Sequence, residues 1–421
     1  MKAAVKRNPW AWVPTLYFGQ GIPYFTAMTL ALVMYKNTGF SNSEIAFYTS
    51  WLYLPWVIKP LWAPVVDMFG TKRRWVVALQ AAIAVALALV AFTTHLPAFF
   101  QVSLAVLWLM AFSSATHDIA ADGFYMLGLS QKQQAGFVGV RSTFYRLANI
   151  TGQGVLVALS GLLIRQTGDP HVAWAIIFAL LGGVFAILAV YHFFMLPHPE
   201  QDHAVHTAGT GTGEFFAAFV SFFRKDGILT ILGFLLLFRL GESQLLKMVV
   251  PFLLDPVDKG GLGLDNTQVG IVYGTVGVVA LTVGGLLGGF LIARFGLKRC
   301  LWPMALIIHL PDLVFVYLST VLPQNIVVIG AAMAVEQFGY GLGFTSYMMF
   351  MIMVADGEHK TAHYAMCTGL MALGMMVPQM ASGYLQQMLG YQHFFVWVCL
   401  ATIPAFIMTA LVKVDPAFGR E

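Results

Sequence analysis

Apolar runs of about 20 residues recur along the whole of this sequence, and a helix needs about that many apolar residues to cross a lipid bilayer. Of its 421 residues, 59% are hydrophobic and only 10% are charged, whereas a soluble domain is about 25% charged. So few charges do not cover the surface of a water-soluble protein. The sequence therefore predicts an all-α integral membrane protein, with no soluble domain large enough to fold by itself.

Polar breaks, proline and glycine positions and span length divide the chain into twelve predicted membrane-spanning helices. They lie near residues 11–36, 42–67, 74–94, 98–128, 134–164, 171–196, 226–254, 266–293, 299–320, 324–354, 360–387 and 392–413. The widest polar gap contains a Gly/Thr stretch at 209–213, which is typical of a flexible connector. We therefore predict a six-helix bundle at 1–196, a cytoplasmic connector at 197–225 and a second six-helix bundle at 226–421.

Basic residues predict the orientation. If the N-terminus is cytoplasmic, fifteen of the 23 Lys and Arg residues fall in cytoplasmic segments, whereas only Lys36, Arg165 and Lys259 fall in the opposite loops. Cytoplasmic loops of membrane proteins carry this excess of positive charge. We therefore expect both termini and the connector in the cytoplasm. No small-residue cleavage site follows the first apolar run, so no removable signal peptide is expected.

Patterns of soluble enzymes are missing from the sequence. Cys300, Cys367 and Cys399 lie in or beside apolar runs without the spacing of a disulfide framework or a zinc site, and are expected to pack as small hydrophobes. No phosphate-binding loop ends in Gly-Lys-Ser/Thr, and no catalytic triad or metal-ligand spacing is present. We expect a monomer that is not an enzyme, holds no cofactor or metal, and binds no nucleic acid.

Two loops resemble each other and indicate an internal repeat. The segment Gly70-Thr-Lys-Arg73 after the second span aligns with Gly296-Leu-Lys-Arg299 after the eighth, at an offset of 226 residues. Repeated halves of parallel topology are a common transporter architecture. The sequence thus favours two similar six-helix halves.

The first of these loops resembles the loop between the second and third helices of major facilitator transporters. Its acidic residue, glycine and basic cluster are Asp67, Gly70, Arg73 and Arg74, although Met68 stands where an Arg is usual. The resemblance implies the major facilitator fold, with two six-helix bundles around a central cavity. It also implies a cytoplasmic gate formed by Asp67, Arg73 and Arg74.

Ten charged residues fall inside the predicted spans, although a charge at mid-bilayer costs roughly 3 kcal/mol or more on insertion scales. Each is therefore a functional candidate. The ten are Lys59, Asp118, Asp122, Arg141, Arg146, Arg239, Glu242, Lys247, Asp312 and Glu336.

Three acidic residues, Asp118, Asp122 and Glu242, are candidates for carrying a proton. Asp118 and Asp122 are four positions apart, on one face of the fourth helix, where mutual repulsion and burial favour retention of a proton. Alternatively, they anchor Arg141 or Arg146 in structural ion pairs. Glu242 lies three positions after Arg239 in the seventh helix, and this pair either couples transport or only stabilises the helix.

Substrate contacts are expected from both halves. Arg146 and Arg239 lie about midway in the fifth and seventh helices, and two guanidinium groups suit a carboxylate-bearing or otherwise anionic cargo. Gln20 lies where Gly21 and Pro23 predict a broken first helix. Aromatic residues are expected to stack on sugar rings or to frame an apolar substrate, although most pack elsewhere. The predicted substrate-binding set is Arg146, Arg239, Gln20, Tyr24, Trp56, Lys59, Glu336 and Tyr347.

Two further acids of the second half differ in their expected roles. Glu336 lies among the glycines of the tenth helix with no basic residue within four positions, so we expect it either protonated or paired with an Arg of the other half. Asp312 follows Pro311, and we expect it to cap a kinked turn as a structural residue.

Several segments together resemble one branch of the superfamily, the anhydromuropeptide permease (AmpG-type) and acetyl-CoA transporter group. The segments are Gly19-Gln-Gly-Ile-Pro23, Lys59-Pro-Leu-Trp-Ala-Pro-Val-Val-Asp67, Asp118-Ile-Ala-Ala-Asp122, Tyr145-Arg-Leu-Ala148, Phe238-Arg-Leu-Gly-Glu242, the glycine-rich tenth helix and Thr361-Ala-His-Tyr-Ala365. Their common order across seven helices carries the resemblance.

The resemblance implies a proton-coupled symporter in the inner membrane of a Gram-negative bacterium. Its cargo would be anhydromuropeptides or anhydro-N-acetylmuramyl sugars for cell-wall recycling, and their lactyl carboxylate suits Arg146 and Arg239. The same group includes siderophore importers and acetyl-CoA carriers, so import of a siderophore or a coenzyme-A ester is the alternative. A membrane-embedded enzyme or scaffold is a third possibility, which the repeat disfavours.

Overall fold

A computed structural model describes residues 7–203, 217, 219–357 and 360–419, and all regular elements in this part of the chain are helices. The first ten α-helices are α1 Val13–Phe25, α2 Ala31–Asn37, α3 Asn42–Trp51, α4 Leu54–Ile58, α5 Ala63–Met68, α6 Lys72–Thr93, α7 Phe99–Gly128, α8 Gln131–Asn149, α9 Val157–Thr167 and α10 Pro170–Met195. The next nine are α11 Ile228–Leu237, α12 Leu240–Leu254, α13 Asn266–Ile271, α14 Val278–Phe295, α15 Leu297–His309, α16 Leu313–Val321, α17 Ile326–Ala355, α18 Lys360–Ala401 and α19 Ile403–Leu411. The predicted all-α class is confirmed.

Within the described residues, nine helical stretches are long and apolar enough to cross a membrane. They coincide with predicted spans three to twelve, because the last stretch, Ala362–Leu411, covers two of them. Gly390 interrupts that stretch with a non-helical backbone (φ 69°, ψ 166°), close to the predicted break. The first two predicted spans are helical without meeting the same criteria. The count of twelve membrane crossings stays a prediction.

The expected break of the first helix at Gln20–Pro23 is wrong. Pro23 lies inside α1, and the chain continues through a π-helical segment, Thr26–Leu30, into α2. The Thr26 N–H donates to the carbonyls of Ile22 and Pro23. A proline removes one donor from the helical ladder, and wider hydrogen bonding after it keeps the chain helical.

The second span is the interrupted one. It consists of α3, α4, a 3-10 turn at Lys59–Leu61 and α5. The second residue of α4 is Pro55, a position where the missing N–H of proline has no helical partner to lose. The turn places Lys59 where the helical ladder is interrupted.

The chain forms two compact units, one made of Met1–Thr38 and Ile58–Gly211, the other of Gly39–Val57 and Thr212–Glu421. Within the second unit, the Asn42 amide donates to the Asp255 carboxylate at 3.0 Å and to Gln386 Oε1 at 2.9 Å. A Cβ at Gly383 would overlap the Asn42 carbonyl, so the backbones are in close contact there. Residues 39–57 therefore pack with the second unit, whereas the connector-based division assigns them to the first bundle. The division at 1–196, 197–225 and 226–421 stays a prediction.

Glycines bring the helices of the second unit close together. A Cβ at Gly284 of α14 would overlap the Phe338 carbonyl, and a Cβ at Gly341 of α17 would overlap the Leu281 carbonyl. Small residues allow such approach between membrane helices. The glycines of the tenth span thus admit a neighbouring helix, as predicted, although α17 stays an unbroken helix.

The two repeated loops share a backbone feature. Gly70 has φ 73° and Gly296 has φ 82°, so both lie in the left-handed region that residues with a Cβ avoid. Each glycine precedes a helix with basic residues in its first turn. The two loops aligned in sequence therefore share a glycine with a positive φ before a basic helix start.

Candidate functional site

Two carboxylates of α7 each hold a different cation in the first unit. Asp122 pairs with Arg141 of α8 at 2.8 Å and accepts a hydrogen bond from the Tyr17 hydroxyl at 3.1 Å. The guanidinium carbon of Arg141 also lies over the Tyr17 ring, 4.5 Å from its centroid. Of the two arginines that sequence reasoning offered, Arg141 is the one paired with Asp122.

Asp118 lies one turn earlier and binds different partners. One of its oxygens accepts the Gln20 amide, and the other pairs with the Lys59 ammonium. Asp118 therefore contacts α1 and the turn before α5, whereas Asp122, on the same face of α7, contacts α1 and α8. Three of the predicted residues, Gln20, Lys59 and Asp118, form one contact group, with Asp122 beside it.

A buried hydrogen-bonded chain lies behind this group. Gln80 Nε2 is 3.1 Å from His117 Nε2, and Gln80 Oε1 is 2.8 Å from His192 Nδ1. Thr15 Oγ1 is 2.9 Å from His192 Nε2. With the Gln80 amide oriented in this way, it donates to Nε2 of His117, so that ring is neutral with its proton on Nδ1, and it accepts from Nδ1–H of His192.

The predicted gate residues have mixed placements. The side chain of Asp67 lies outside the described part of the structure. Arg73 Nε donates to the Leu196 carbonyl at 3.3 Å, and a second guanidinium nitrogen donates to the Phe193 carbonyl. The exposed Arg74 lies beside Arg73 in the first turn of α6.

The connector contributes a helix cap that sequence reasoning missed. Asp202 accepts hydrogen bonds from the backbone N–H groups of Lys72 at 2.6 Å and Arg73 at 3.0 Å. A carboxylate at a helix N-terminus satisfies free donors and interacts favourably with the helix dipole. The signal available in the sequence was an acid in a connector expected on the same membrane side as this loop.

In the second unit, Arg239 is fully engaged by neighbours from three helices. Its Nε and Nη2 donate to the two Glu242 oxygens at 3.1 and 2.7 Å, which gives the ion pair that the i, i+3 spacing predicts. Nη2 also donates to the Tyr340 hydroxyl at 2.8 Å, and Nη1 lies 2.8 Å from the Met375 sulfur. Arg239 is 2% exposed and Glu242 is 1% exposed. A buried, doubly hydrogen-bonded pair of this kind is costly to leave half satisfied.

Aromatic rings cover the guanidinium. Its carbon lies 5.1 Å from the centroid of the Tyr340 ring and 4.8 Å from that of Phe344. Arginine stacks favourably on such rings. The Arg239 guanidinium therefore has one charged partner, the Glu242 carboxylate, and several weaker neutral partners. An anionic ligand can compete with Glu242 for this guanidinium.

Two acids of the second unit have few donors. Glu336 is 1% exposed and accepts one hydrogen bond, from Gln337 Nε2 at 2.9 Å. The expectation that Asp312 caps the turn after Pro311 is wrong, because neither of its oxygens accepts a hydrogen bond from a described residue. It ends the 3-10 turn Leu310–Asp312, and its side chain makes no cap hydrogen bond to α16.

Lys247 of α12 is a further buried charge, at 5% exposure. It makes no ion pair or hydrogen bond with any described residue. The sequence identified it as an intramembrane charge without giving it a role.

The remaining predicted substrate contacts are dispersed. Arg146 is partly buried in α8, Tyr24 packs edge-on against Phe25, and Trp56 lies 6.3 Å from Tyr53 between ring centroids. Tyr347 is fully buried; its ring stacks on Phe238 and its hydroxyl donates to the Leu235 carbonyl at 2.6 Å. In this conformation Tyr347 is a core residue. The binding roles of all four stay predictions.

Comparison with known proteins matches the amino-acid sequence to a large family. The sequence profile of the Major Facilitator Superfamily matches residues 15–365. An uncharacterized protein of Haemophilus influenzae is 26% identical over 397 residues, covering 91% of this chain and 89% of the relative. The anhydromuropeptide permease of Escherichia coli K12 is 26% identical over 373 residues, covering 87% of this chain and 72% of the relative.

Solved structures show the same fold at lower identity. The nucleoside transporter NupG superposes with a TM-score of 0.70 at 16% identity, over 96% of this chain and 98% of that one. The D-xylose-proton symporter superposes with a TM-score of 0.70 at 12% identity, over 97% of both chains.

Proposed function

This chain belongs to the Major Facilitator Superfamily, as a multi-pass membrane transporter similar to AmpG-type permeases, and from that premise we propose its cargo and energy source. The chain is a proton-coupled symporter that imports anhydromuropeptides or anhydro-N-acetylmuramyl sugars by alternating access. It works as a monomer in the bacterial inner membrane, with both termini in the cytoplasm. Asp67, Arg73 and Arg74 gate its cytoplasmic side.

The observation that carries the proposal is the environment of Arg239. Its guanidinium is buried and already oriented by Glu242, Tyr340 and Met375. A lactyl carboxylate of the cargo can replace Glu242 in the same bidentate geometry. The aromatic faces of Tyr340 and Phe344 beside it suit the apolar face of a sugar ring.

Two carboxylates of the first unit bear on the second part of the proposal, which is proton coupling. Asp118 and Asp122 each hold one cation, Lys59 and Arg141, inside a predicted span. Protonation of either acid would release its cation, which is one way to link a proton to a conformational change.

Transport into proteoliposomes tests the proposal. Purified protein in liposomes should accumulate labelled anhydro-N-acetylmuramic acid under an inward proton gradient, and a protonophore should abolish the accumulation. No uptake, or uptake indifferent to the protonophore, would refute it. Binding of a siderophore or a coenzyme-A ester in place of the anhydro-sugar would establish the alternative cargo class.

Substitution of Arg239 tests the binding site itself. Arg239→Lys keeps the charge and loses the two-pronged hydrogen bonding, so cargo affinity should fall about 10-fold, the equivalent of one charge-assisted hydrogen bond. The matched control is Arg294→Lys, at an exposed arginine of α14, which should bind as the wild type does. Unchanged affinity in Arg239→Lys would remove Arg239 from the cargo site.

A further inference from the structure

Asp312 is a buried acid that the proposed function has not used. It lies at the turn between α15 and α16, is 1% exposed, and neither oxygen has a hydrogen-bond partner among the described residues. One turn earlier, His309 is 3% exposed and both of its ring nitrogens are equally without partners. Four buried polar atoms thus lie in one turn without a donor or acceptor.

An ionised Asp312 would be costly here. Burying an unpaired carboxylate carries a penalty of several kcal/mol, and proteins avoid it by pairing, by cation binding or by protonation. The groups that act on Asp312 electrostatically are Glu336 of α17 and Glu242 of α12, which are both acidic. From α18, Cys399 interacts with it electrostatically, and a thiol supplies no positive charge. The buried arginine Arg239 of the same unit already pairs with Glu242.

Glu336 shares this environment. Its helix packs against the turn that holds Asp312, because a Cβ at Gly339 of α17 would lie 2.8 Å from the Pro311 ring. Glu242 and Tyr273 interact with Glu336 electrostatically. Its one hydrogen-bond donor in the described structure is the neutral Gln337 amide. Close carboxyl groups without a cation share protons, and their titrations are coupled.

We propose that Asp312 and Glu336 form a proton site of the second unit, which carries a proton while Arg239 binds an anionic cargo. This deepens the proposed function and rests on it. When the cargo carboxylate takes over the Arg239 guanidinium, Glu242 loses its cation. The acids around it are then left with less positive charge, so they retain a proton more strongly. By linkage, the proton in turn strengthens cargo binding, which is the sign that a symporter requires.

The chemical step is a simple protonation. One carboxylate oxygen of Asp312 or Glu336 accepts one proton from water on the side where cargo binds. After the cargo has left, the site opens to water on the opposite side and the same O–H bond breaks there; the empty carrier, with Arg239 on Glu242, takes up a proton again before the next cargo binds. One proton crosses with each cargo anion.

The variant Asp312→Asn tests the site because asparagine keeps the shape of the side chain but has no carboxyl group that can bind and release a proton. The expected result is loss of gradient-driven accumulation of labelled anhydro-N-acetylmuramic acid, with exchange of labelled for unlabelled cargo retained. The wild-type Kd should tighten as pH falls, by up to about tenfold per pH unit for one linked proton, and the dependence should flatten in the variant. The control is Asp258→Asn, at an exposed acid of the same unit, which should retain accumulation and pH dependence.

Two outcomes overturn the proposal. One is wild-type accumulation by Asp312→Asn. The other is loss of both accumulation and exchange in a variant that elutes as a folded protein, since that indicates a structural or cargo-binding role. Glu336→Gln provides the second variant and is expected to show the same separation of accumulation from exchange.

A cargo-free measurement separates this proposal from the choice of substrate. Infrared spectra of the wild-type protein at neutral pH should contain a carboxylic-acid carbonyl band that shifts in heavy water and is weakened in Asp312→Asn, but not in Asp258→Asn. If the band is present while the wild type transports no anhydro-sugar, the cargo is wrong and the proton site stands. If the band is missing, or if sodium is needed for cargo binding, the proton site is wrong.

Discussion

At the scale of single residues, the polar side chains inside the predicted spans divide into those with and those without hydrogen-bond or ion-pair partners among the described residues. Asp118, Asp122 and Arg239 all have partners, and their contacts restrain neighbouring helices. Gln80 is a stricter case, because its one amide serves two buried imidazoles as donor and acceptor. A residue with the same shape but one kind of hydrogen-bonding atom cannot replace it.

Replacement of Gln80 should therefore reduce stability. Gln80→Leu leaves buried nitrogens of His117 and His192 without partners, which should cost about 2–4 kcal/mol. The Tm of the detergent-purified variant should fall well below that of the wild type. Gln101→Leu, at an exposed position of the next helix, should leave Tm unchanged, and a Gln80→Leu protein as stable as the wild type would contradict the network.

At the scale of elements, close backbone approach depends on a few glycines. α14 faces α17 through Gly284 and Gly288, where an added Cβ would meet the Phe338 and Leu342 carbonyls, the latter at 2.8 Å. The neighbouring Gly289 has no heavy atom within 4 Å of an added Cβ. The same helix therefore has a face that requires glycine and a face that does not.

This contrast gives a matched pair of substitutions. Gly284→Ala should force α14 and α17 apart and cost about 1–3 kcal/mol, as overpacking does. Gly289→Ala should be neutral or slightly stabilising, because alanine favours the helix by about 1 kcal/mol relative to glycine. Thermal unfolding of the two variants in the same detergent measures the difference, and equal Tm values would show that the helices adjust freely.

At the scale of the whole molecule, residues 39–57 belong to one repeat in sequence and to the other in packing. They precede the connector, within the first repeat, but they pack in the second unit. Their attachment is polar as well as close, since Asn42 Nδ2 also lies 2.9 Å from the Tyr391 hydroxyl oxygen, and Tyr391 donates to Asp255 at 2.6 Å. If this segment moves with the first repeat during transport, it has to leave that network.

A cross-link tests this movement. In protein with the three native cysteines replaced by alanine, Asn42→Cys and Gln386→Cys place two thiols where side-chain atoms now lie 2.9 Å apart. A short bifunctional thiol reagent whose bridge dithiothreitol can cleave should stop uptake into proteoliposomes, and dithiothreitol should restore it. Each single cysteine variant is the control and should transport after the same treatment. Continued uptake by the cross-linked protein would show that 39–57 keeps its packing throughout the cycle.

The sequence by itself determined the helical membrane fold, the positions of most spans and the Arg239–Glu242 pair. Apolar runs and an i, i+3 spacing are local properties, and a helix converts them directly into geometry. The likeness of the two loops was also visible in the sequence, whereas the positive φ of Gly70 and Gly296 was not predicted and comes from the structure.

Only the tertiary structure decided which distant residues meet. Asp122 pairs with Arg141, Lys59 pairs with Asp118, and Asn42 donates a hydrogen bond to Asp255, 213 positions away in the sequence. The sequence restricted each acid to a helix face, but the rotation and neighbours of that helix depend on packing along its whole length. For the same reason the sequence placed Asp312 in a cap, whereas the fold buries its carboxyl without a donor among the residues that the structure describes.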